Sequence, residues 1–318
     1  MSNTETQSAL TIAEAEALLR PLRPSAVVTR VLARDGSGFN SVYELRCAEP
    51  DPAVIVKFYP ARWLQAKELH VYGLLAGHGV GPIPELLHAA PDGGPGEGGY
   101  TVMSLLPGRP LEDVAQRLSP DDTRGIYRQI GACLASIHRI ELDAFGYLTD
   151  VIVDPQPTNA ASMTRRFGTQ LTEFAAQGGD PALCRDVAAY VDARAELFEL
   201  CRVPVLVHND IHEGNVLVAR DGAGGSGGWR MTGFIDVENA VAADPLLDLA
   251  RTSHFAVHGD AAKWQALVDG YGPLGPHADE RVTLYGLYQA VELWSWFASI
   301  GRTERLPAIA DEIRSLLS

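Results

Sequence analysis

VLVHNDIHEGNVLV (205–218) and, shortly after it, GFIDVENA (233–240) decide how this chain is read. The first stretch sets His208, Asp210 and Asn215 in the spacing H-x-D-x-x-x-x-N, between two short apolar runs that read as β-strands. The second adds a single carboxylate, Asp236. Phosphoryl transfer from a nucleotide needs one carboxylate to accept the acceptor hydroxyl's proton. It also needs an amide and a second carboxylate to hold magnesium, and positive charge on the phosphates. Asp210, Asn215 and Asp236 fit the first three roles. With nine His, twenty-one Asp and six Asn in 318 residues, the expected number of chance matches to that spacing is about 0.01. Each residue alone has a plainer reading: His208 as a core histidine, Asp210 and Asn215 as turn formers, Asp236 as a strand-end cap. Their joint occurrence is what points to chemistry.

On these residues the chain resembles the aminoglycoside phosphotransferase and choline kinase group of small-molecule kinases, and the resemblance covers nearly its whole length. It is carried by VHNDIHEGNVL (207–217) for the catalytic loop, IDVENAVAADPLLDLA (235–250) for the metal site and following helix, and VIVKF (54–58) for the phosphate lysine, in the family's order. It implies an α+β, bilobal, protein-kinase-like fold. A small antiparallel β-sheet lobe with one helix (1–104) binds nucleotide, and a larger, mainly helical lobe (105–318) holds the catalytic loop and the acceptor. It implies ATP or GTP and Mg2+ as cofactors, Asp210 as base, and Asn215 and Asp236 as metal ligands. Two departures stand out: Asn209 occupies a position usually held by Gly, and the glycine-rich loop DGSGFNS (35–41) is incomplete as a kinase signature.

Lys57 lies in an alternating apolar strand, where a buried ammonium without a partner is costly. The scarcity of lysine, three against twenty-three arginines, makes that placement informative. The next helix, 61–75, offers Glu68, and the resemblance makes Lys57 and Glu68 the ion pair that holds the α and β phosphates. Gly36, Ser37 and Gly38 form a turn whose backbone can approach a phosphate, or a plain hairpin. The strand at 100–103 followed by Pro-Gly matches the family's link between lobes, which puts Met103, Ser104 and Leu106 at the adenine.

The composition, 46% hydrophobic and 21% charged, is that of an ordinary globular chain. No apolar run reaches the ~18 residues of a membrane span and no secretory leader is evident, so no membrane association and a cytoplasmic location are expected. The four cysteines are unpaired in spacing, against a zinc site or a disulfide framework. A net charge of −14 disfavours nucleic acid and suits a cationic acceptor, although solubility explains it equally. The chain is expected to act as a monomer or homodimer.

Outside the motifs, the apolar periodicity predicts helices at 12–22, 163–176, 181–200, 245–257, 261–270, 279–300 and 306–317, and a first strand at 26–32. Another helix starts at Ser119 and ends near His138, read as a cap. His208 and His212 are expected to support the catalytic loop, Asp248 to orient it, and Asp244 before Pro245 to cap a helix. Absence of D-F-G and A-P-E segments speaks against a protein substrate. The aromatic stretch YGLYQAVELWSWFASI (285–300) packs mostly into the core, and Glu238, Glu292 and Trp296 are the acceptor candidates. The leading expectation is transfer of the γ-phosphate to a hydroxyl of an aminoglycoside-like, polyhydroxylated, cationic small molecule. The alternative is a metabolic or biosynthetic kinase acting on choline, a methylthio sugar, homoserine or a nucleoside. A pseudokinase would be expected to have lost Lys57, Asp210, Asn215 or Asp236, and all four are present.

Overall fold

β-Branched and aromatic residues in VTRVLAR, SVYELRC, VIVKF and YTVMS build a sheet with its own small core, the last two strands being buried almost throughout. In the computed structural model, which describes residues 10–34, 40–92, 97–222 and 227–318, the N-terminal lobe runs α1 (Ile12–Leu19), β1 (Val28–Arg34), β2 (Ser41–Cys47), β3 (Val54–Phe58), α2 (Arg62–Gly77), β4 (Leu86–Ala90) and β5 (Tyr100–Ser104). The strands form one antiparallel sheet in the order β1-β2-β3-β5-β4. Leu45, Val54, Val56 and Val102 are fully buried, with Ala15 and Leu19 of α1 packed into the same cluster. The other helix, α2, turns Val71, Tyr72 and Leu75 into the core of the larger lobe, and Glu68, one turn earlier on the same face, is carried to the boundary between the lobes.

The larger lobe continues with β6 (Arg109–Pro110), α3 (Pro120–Ile137), β7 (Phe145–Leu148), β8 (Ile152–Gln156), α4 (Asn159–Ala176), α5 (Pro181–Asp192), β9 (Val205–Val207), β10 (Val216–Arg220), β11 (Trp229–Phe234), β12 (Val241–Ala243), α6 (Leu246–Thr252), α7 (Ala261–Tyr271), α8 (Ala278–Ser299) and α9 (Leu306–Leu316). This is the expected bilobal arrangement. Gly108 in the link between lobes has φ +106°, and a Cβ there would stand 2.5 Å from the Val218 carbonyl, so the turn requires glycine. Two strand pairings place the functional loops. The chain leaves β9 and enters β10 through 208–215, and leaves β11 and enters β12 through 235–240. Because β9 pairs with β12 and β10 with β11, both loops are held side by side at the same end.

Several boundaries differ from the periodic pattern. The helix expected at 12–22 stops at Leu19, and the first strand begins two residues later than read. The segment 181–200 splits: α5 ends at Asp192 and 195–200 forms 3-10 turns. There the Phe198 carbonyl accepts from Asn159 Nδ2 at 3.1 Å, a tertiary bond that stands in for a helical one. Likewise 245–257 is α6 followed by a widened turn at 253–257, whose Ala256 carbonyl accepts from Tyr127 Oη at 2.6 Å and Lys263 Nζ at 3.3 Å. None of the helices among the described residues is long and apolar enough to cross a membrane.

Candidate active site

Lys57 sits mid-strand in β3, opposite Val42 and Thr101, and its ammonium enters a nest of carboxylates. Its Nζ is 2.7 Å from Glu68 Oε2, 3.1 Å from Asp236 Oδ1 and 3.3 Å from Glu238 Oε2. Burial opposes the lysine's charge, but Glu68 and Asp236 together outweigh it and lift its pKa above the ordinary range. Glu68, Asp236 and Glu238 place oxygens within 4.8 Å of one another, a spacing a cation can bridge, and the Lys57 ammonium lies among them. One helical turn beyond Glu68, Tyr72 Oη accepts the Asp236 backbone N–H at 3.3 Å. α2 therefore fixes both the lysine and the metal loop. Tyr72 escaped the sequence reading because an apolar-face tyrosine looks like core alone.

The loop 208–215 is tied down by buried groups. Asp248 on α6 accepts the backbone N–H of His208 at 2.7 Å and of Asn209 at 2.8 Å. His138 Nε2 meets the same carboxylate at 3.1 Å, while His138 Nδ1 faces Tyr271 Oη at 2.9 Å. His138, expected as a simple helix cap, is instead the second support of Asp248. Burial works against the Asp248 charge, and the hydrogen bond from His138 with the nearby imidazoles and amide overcomes it, holding its pKa below the usual value. Asn209 adopts φ +61° and Asp236 φ +66°. The first value explains the departure from glycine: Asn enters the left-handed region more readily than other side chains with a Cβ. His208 is buried, edge-on to Phe234 at 5.5 Å, and burial lowers its pKa. Of the histidine's groups its backbone N–H, bonded to Asp248, does the bracing. His212 Nδ1 accepts the Gly214 N–H at 3.0 Å, shaping the loop, and its Nε2 stands 3.9 Å from Asp210.

Asn215 joins the two loops. Its Nδ2 donates to the Asp210 carbonyl at 3.0 Å and to Asp210 Oδ2 at 3.3 Å, and its backbone carbonyl accepts the Ile235 N–H at 3.0 Å. With Nδ2 engaged, Oδ1 is the side-chain atom that would serve a metal. Amide and carboxylate oxygens of this kind are the donors magnesium takes, so the residues fit that ion. Asp210 also accepts from Asn239 Nδ2 at 3.1 Å and approaches Arg251 Nη2 at 3.6 Å.

At the link between lobes Met103 is buried, and Ser104 is occupied: its N–H donates to the Glu85 carbonyl at 2.9 Å and its Oγ accepts the Glu85 N–H at 2.9 Å. Ser104 therefore has no amide to offer an adenine. Leu106 lies against Gly233, at the entry to the metal loop, where an added Cβ would come within 2.6 Å of Leu106 Cδ1. Gly36, Ser37 and Gly38 lie outside the described residues.

Asp210 opens onto a cleft of about 1110 Å³ lined by both loops, by α4 and by the late helices. Glu238, Glu292 and Trp296 all line it. Glu238 is bonded to Asn40 and Lys57, and burial raises its pKa. Glu292 accepts from Arg251 Nη1 at 3.0 Å and Tyr288 Oη at 2.9 Å. Trp296 is 45% exposed. Arg251 was missed by sequence reading. Its one signal was its place a turn beyond Asp248 on α6, and it bridges Asp210 to Glu292. Asp244 does cap α6, accepting the Leu246 N–H at 2.9 Å, and it also binds Arg281 and, at 2.5 Å, Tyr285 of α8.

Residues 31–283 match the model of the family described as "Phosphotransferase enzyme family". No curated protein sequence matches the chain. Among solved structures, aminoglycoside phosphotransferase APH(4)-Ia superposes with a TM-score of 0.73 at 16% identity, over 96% of this chain and 98% of that one. A thermostable mutant of it, in ternary complex with AMP-PNP and hygromycin B, gives 0.70 at 16%, over the same shares. ADP-bound aminoglycoside phosphotransferase APH(2'')-Ib gives 0.67 at 17%, over 97% of each chain. At these identities the superpositions speak for the fold, and the family model, matching most of the sequence, speaks for descent: the chain belongs to the phosphotransferase enzyme family.

Proposed function

We propose that the protein transfers the γ-phosphate of a magnesium-bound nucleotide, ATP or GTP, to an alcohol hydroxyl of a polyhydroxylated, aminoglycoside-like small molecule. The observation that carries this reading is the division of charge around Asn215. Lys57 and Asp236 face the space between the lobes, and Asp210, bonded to the same asparagine, faces the cleft. Lys57, oriented by Glu68, holds the phosphates, and the backbone of Leu106 meets the base. Asn215 and Asp236 would hold Mg2+, which when bound offsets phosphate charge. Asp210 accepts the proton from the acceptor hydroxyl as its oxygen attacks, in hydrogen-bond reach of the cleft. Asn215 and Asn239 aim its carboxylate, and Asp248 keeps the loop from yielding. Glu238, Glu292 and Trp296 contact the acceptor. Related folds solved with ADP, with GDP and with AMP-PNP plus hygromycin B support both halves of the reading.

One observation favours a metabolic or biosynthetic acceptor as the second reading: the cleft carboxylates Asp154, Glu238 and Glu292 already have cationic partners within the chain, and Glu312 is engaged by His254 at 2.7 Å. The test is ADP or GDP release by purified protein with Mg2+, against hygromycin B and other aminoglycosides on one side and choline, a methylthio sugar, homoserine and nucleosides on the other. Turnover with aminoglycosides supports the first reading and turnover confined to the second set supports the alternative. No turnover with any acceptor, together with no binding of Mg·AMP-PNP, counts against phosphotransfer.

A further inference from the structure

Arg166 at the acceptor cleft and Lys67 buried behind its wall have no carboxylate within ion-pair distance among the described residues. Lys67, on α2 beside the phosphate-lysine partner Glu68, is 0% exposed, and its Nζ has no hydrogen-bond acceptor among the described residues. What it does have is the ring of Tyr147, whose centroid lies 4.1 Å away. A buried ammonium satisfied only by a π face keeps most of its desolvation cost. Burial pulls its pKa down to about 7, and nearby Arg166 pushes the same way while Glu238 opposes. Tyr147 itself lines the cleft, is 43% exposed and packs edge-on against Trp63 at 6.4 Å, so the lysine sits behind one aromatic side chain of the cleft wall. Arg166, on α4, lines the same cleft, half-buried against the Tyr288 ring with its guanidinium 6.0 Å from the centroid, and no carboxylate of the described residues lies within ion-pair distance of it. The matching carboxylates are spent elsewhere: Asp154 on Arg165, Glu292 on Arg251, Glu238 on Lys57.

We infer that Arg166 and Lys67 form an anion subsite in the acceptor cleft, and that the acceptor carries, besides the hydroxyl Asp210 activates, an acid group that is a carboxylate or phosphate. The inference rests on the phosphotransfer reading alone; an acid group is foreign to an aminoglycoside-like acceptor, so this subsite favours the second, metabolic or biosynthetic class. Arg166 offers a planar fork to two oxygens of such a group from the cleft wall, and the Lys67 ammonium adds charge from behind the Tyr147 ring. The chain's net charge of −14 conceals this corner, because charge summed over a chain says nothing of where the unmatched groups lie.

Four sugars of one ring and different charge test it on protein saturated with Mg·AMP-PNP: glucuronate, glucose 6-phosphate, glucose and 6-amino-6-deoxyglucose. The non-transferable nucleotide ensures that any preference belongs to the acceptor's own acid group and not to a phosphoryl group in flight. At least one of the two acidic sugars binds about tenfold or more tighter than the amino sugar, and Arg166→Gln and Lys67→Met each remove most of that preference. Equal or tighter binding of the amino sugar, no binding by either acid, or an undiminished preference in Arg166→Gln overturns the inference. Arg166→Gln decides the matter should Lys67→Met fail to fold. Binding of Mg·AMP-PNP alone, measured first, separates the two levels: if it is present and the acid preference is absent, only the acceptor class is wrong; if it is absent, phosphotransfer itself is.

Discussion

Around Asp210 the charged groups are fixed through the backbone. Asp248 grips two loop amides, Asn215 holds the Asp210 carbonyl, Tyr72 meets the Asp236 N–H, and two strand pairs set the loops side by side. Along the cleft wall the charges meet side chain to side chain: Arg251 with Glu292, Arg165 with Asp154, His254 with Glu312, and Arg166 with no carboxylate among the described residues. The difference separates two requirements. The chemistry needs atoms held in one geometry, and anchoring them to main chain achieves this. Recognition needs contacts that an incoming ligand can exchange, and partly exposed ion pairs, individually worth little, break at small cost.

If that contrast is right, damage on the anchored side should be large and should reach both metal and rate. Asp236→Asn leaves Lys57 one carboxylate fewer and removes the charge that would hold magnesium. It is expected to lower kcat by about 10²–10³ and to raise the Mg2+ concentration needed for half-maximal rate, with excess Mg2+ restoring part of the activity. A magnesium titration of turnover checks this, and a wild-type titration curve in the mutant contradicts the assignment.

The anchor behind the loop comes next. Asp248→Asn keeps one acceptor oxygen but turns an NH2 toward groups that donate, at an expected cost of about 2–4 kcal/mol in stability and a lower kcat, with nucleotide affinity little changed. The sign of the pH effect follows from the depressed Asp248 pKa. Its ionised form stabilises the fold at and above the unfolded carboxylate value of about 3.9, and that contribution is lost as pH falls through the lower folded value. The wild type should therefore lose stability in acid more steeply than Asp248→Asn. Denaturation midpoints for the two proteins between neutral pH and pH 3 would converge, and parallel curves would count against a charged Asp248.

How much of this was legible in the sequence follows the same division. Asp210, Asn215, Asp236 and the Lys57–Glu68 pair are short-range or strand-borne signals. They are readable because the spacing H-x-D-x-x-x-x-N rarely arises by chance and a lysine inside an apolar strand demands a partner. The two-lobe fold followed from them and from the resemblance. His138, Tyr72 and Arg251 were not readable in these roles, since each acts across 110, 164 and 41 residues respectively and looks locally like a cap, a core aromatic and a surface arginine. The Ser104 amide is spent on Glu85, a pairing with no sequence signature. The helix broken at 181–200 and the one that widens to a π turn at 253–257 show where tertiary bonds at Phe198 and Ala256 accompany departures from α-helical periodicity.

The smallest expected effect sharpens the point about backbone. Asn209→Gly relieves the left-handed strain at φ +61° but adds chain entropy to the unfolded state. The two nearly cancel, leaving stability within about 1 kcal/mol and kcat within a few-fold. Asn209→Val, which cannot occupy that region comfortably, should be clearly worse than Gly in a paired melting and turnover comparison. Equal behaviour of the two variants would remove conformational freedom as the reason for Asn at this position.

The central claim, that Asp210 acts on the acceptor while Lys57, Asn215 and Asp236 manage nucleotide and metal, comes down to one measurement on Asp210→Ala: Mg·AMP-PNP affinity by calorimetry alongside transfer of label from γ-labelled ATP to an acceptor found to be turned over by the wild type. The account predicts nucleotide affinity within a few-fold of wild type and transfer reduced by about 10²–10⁴. Loss of nucleotide affinity in step with activity, or transfer persisting near the wild-type rate, would contradict it.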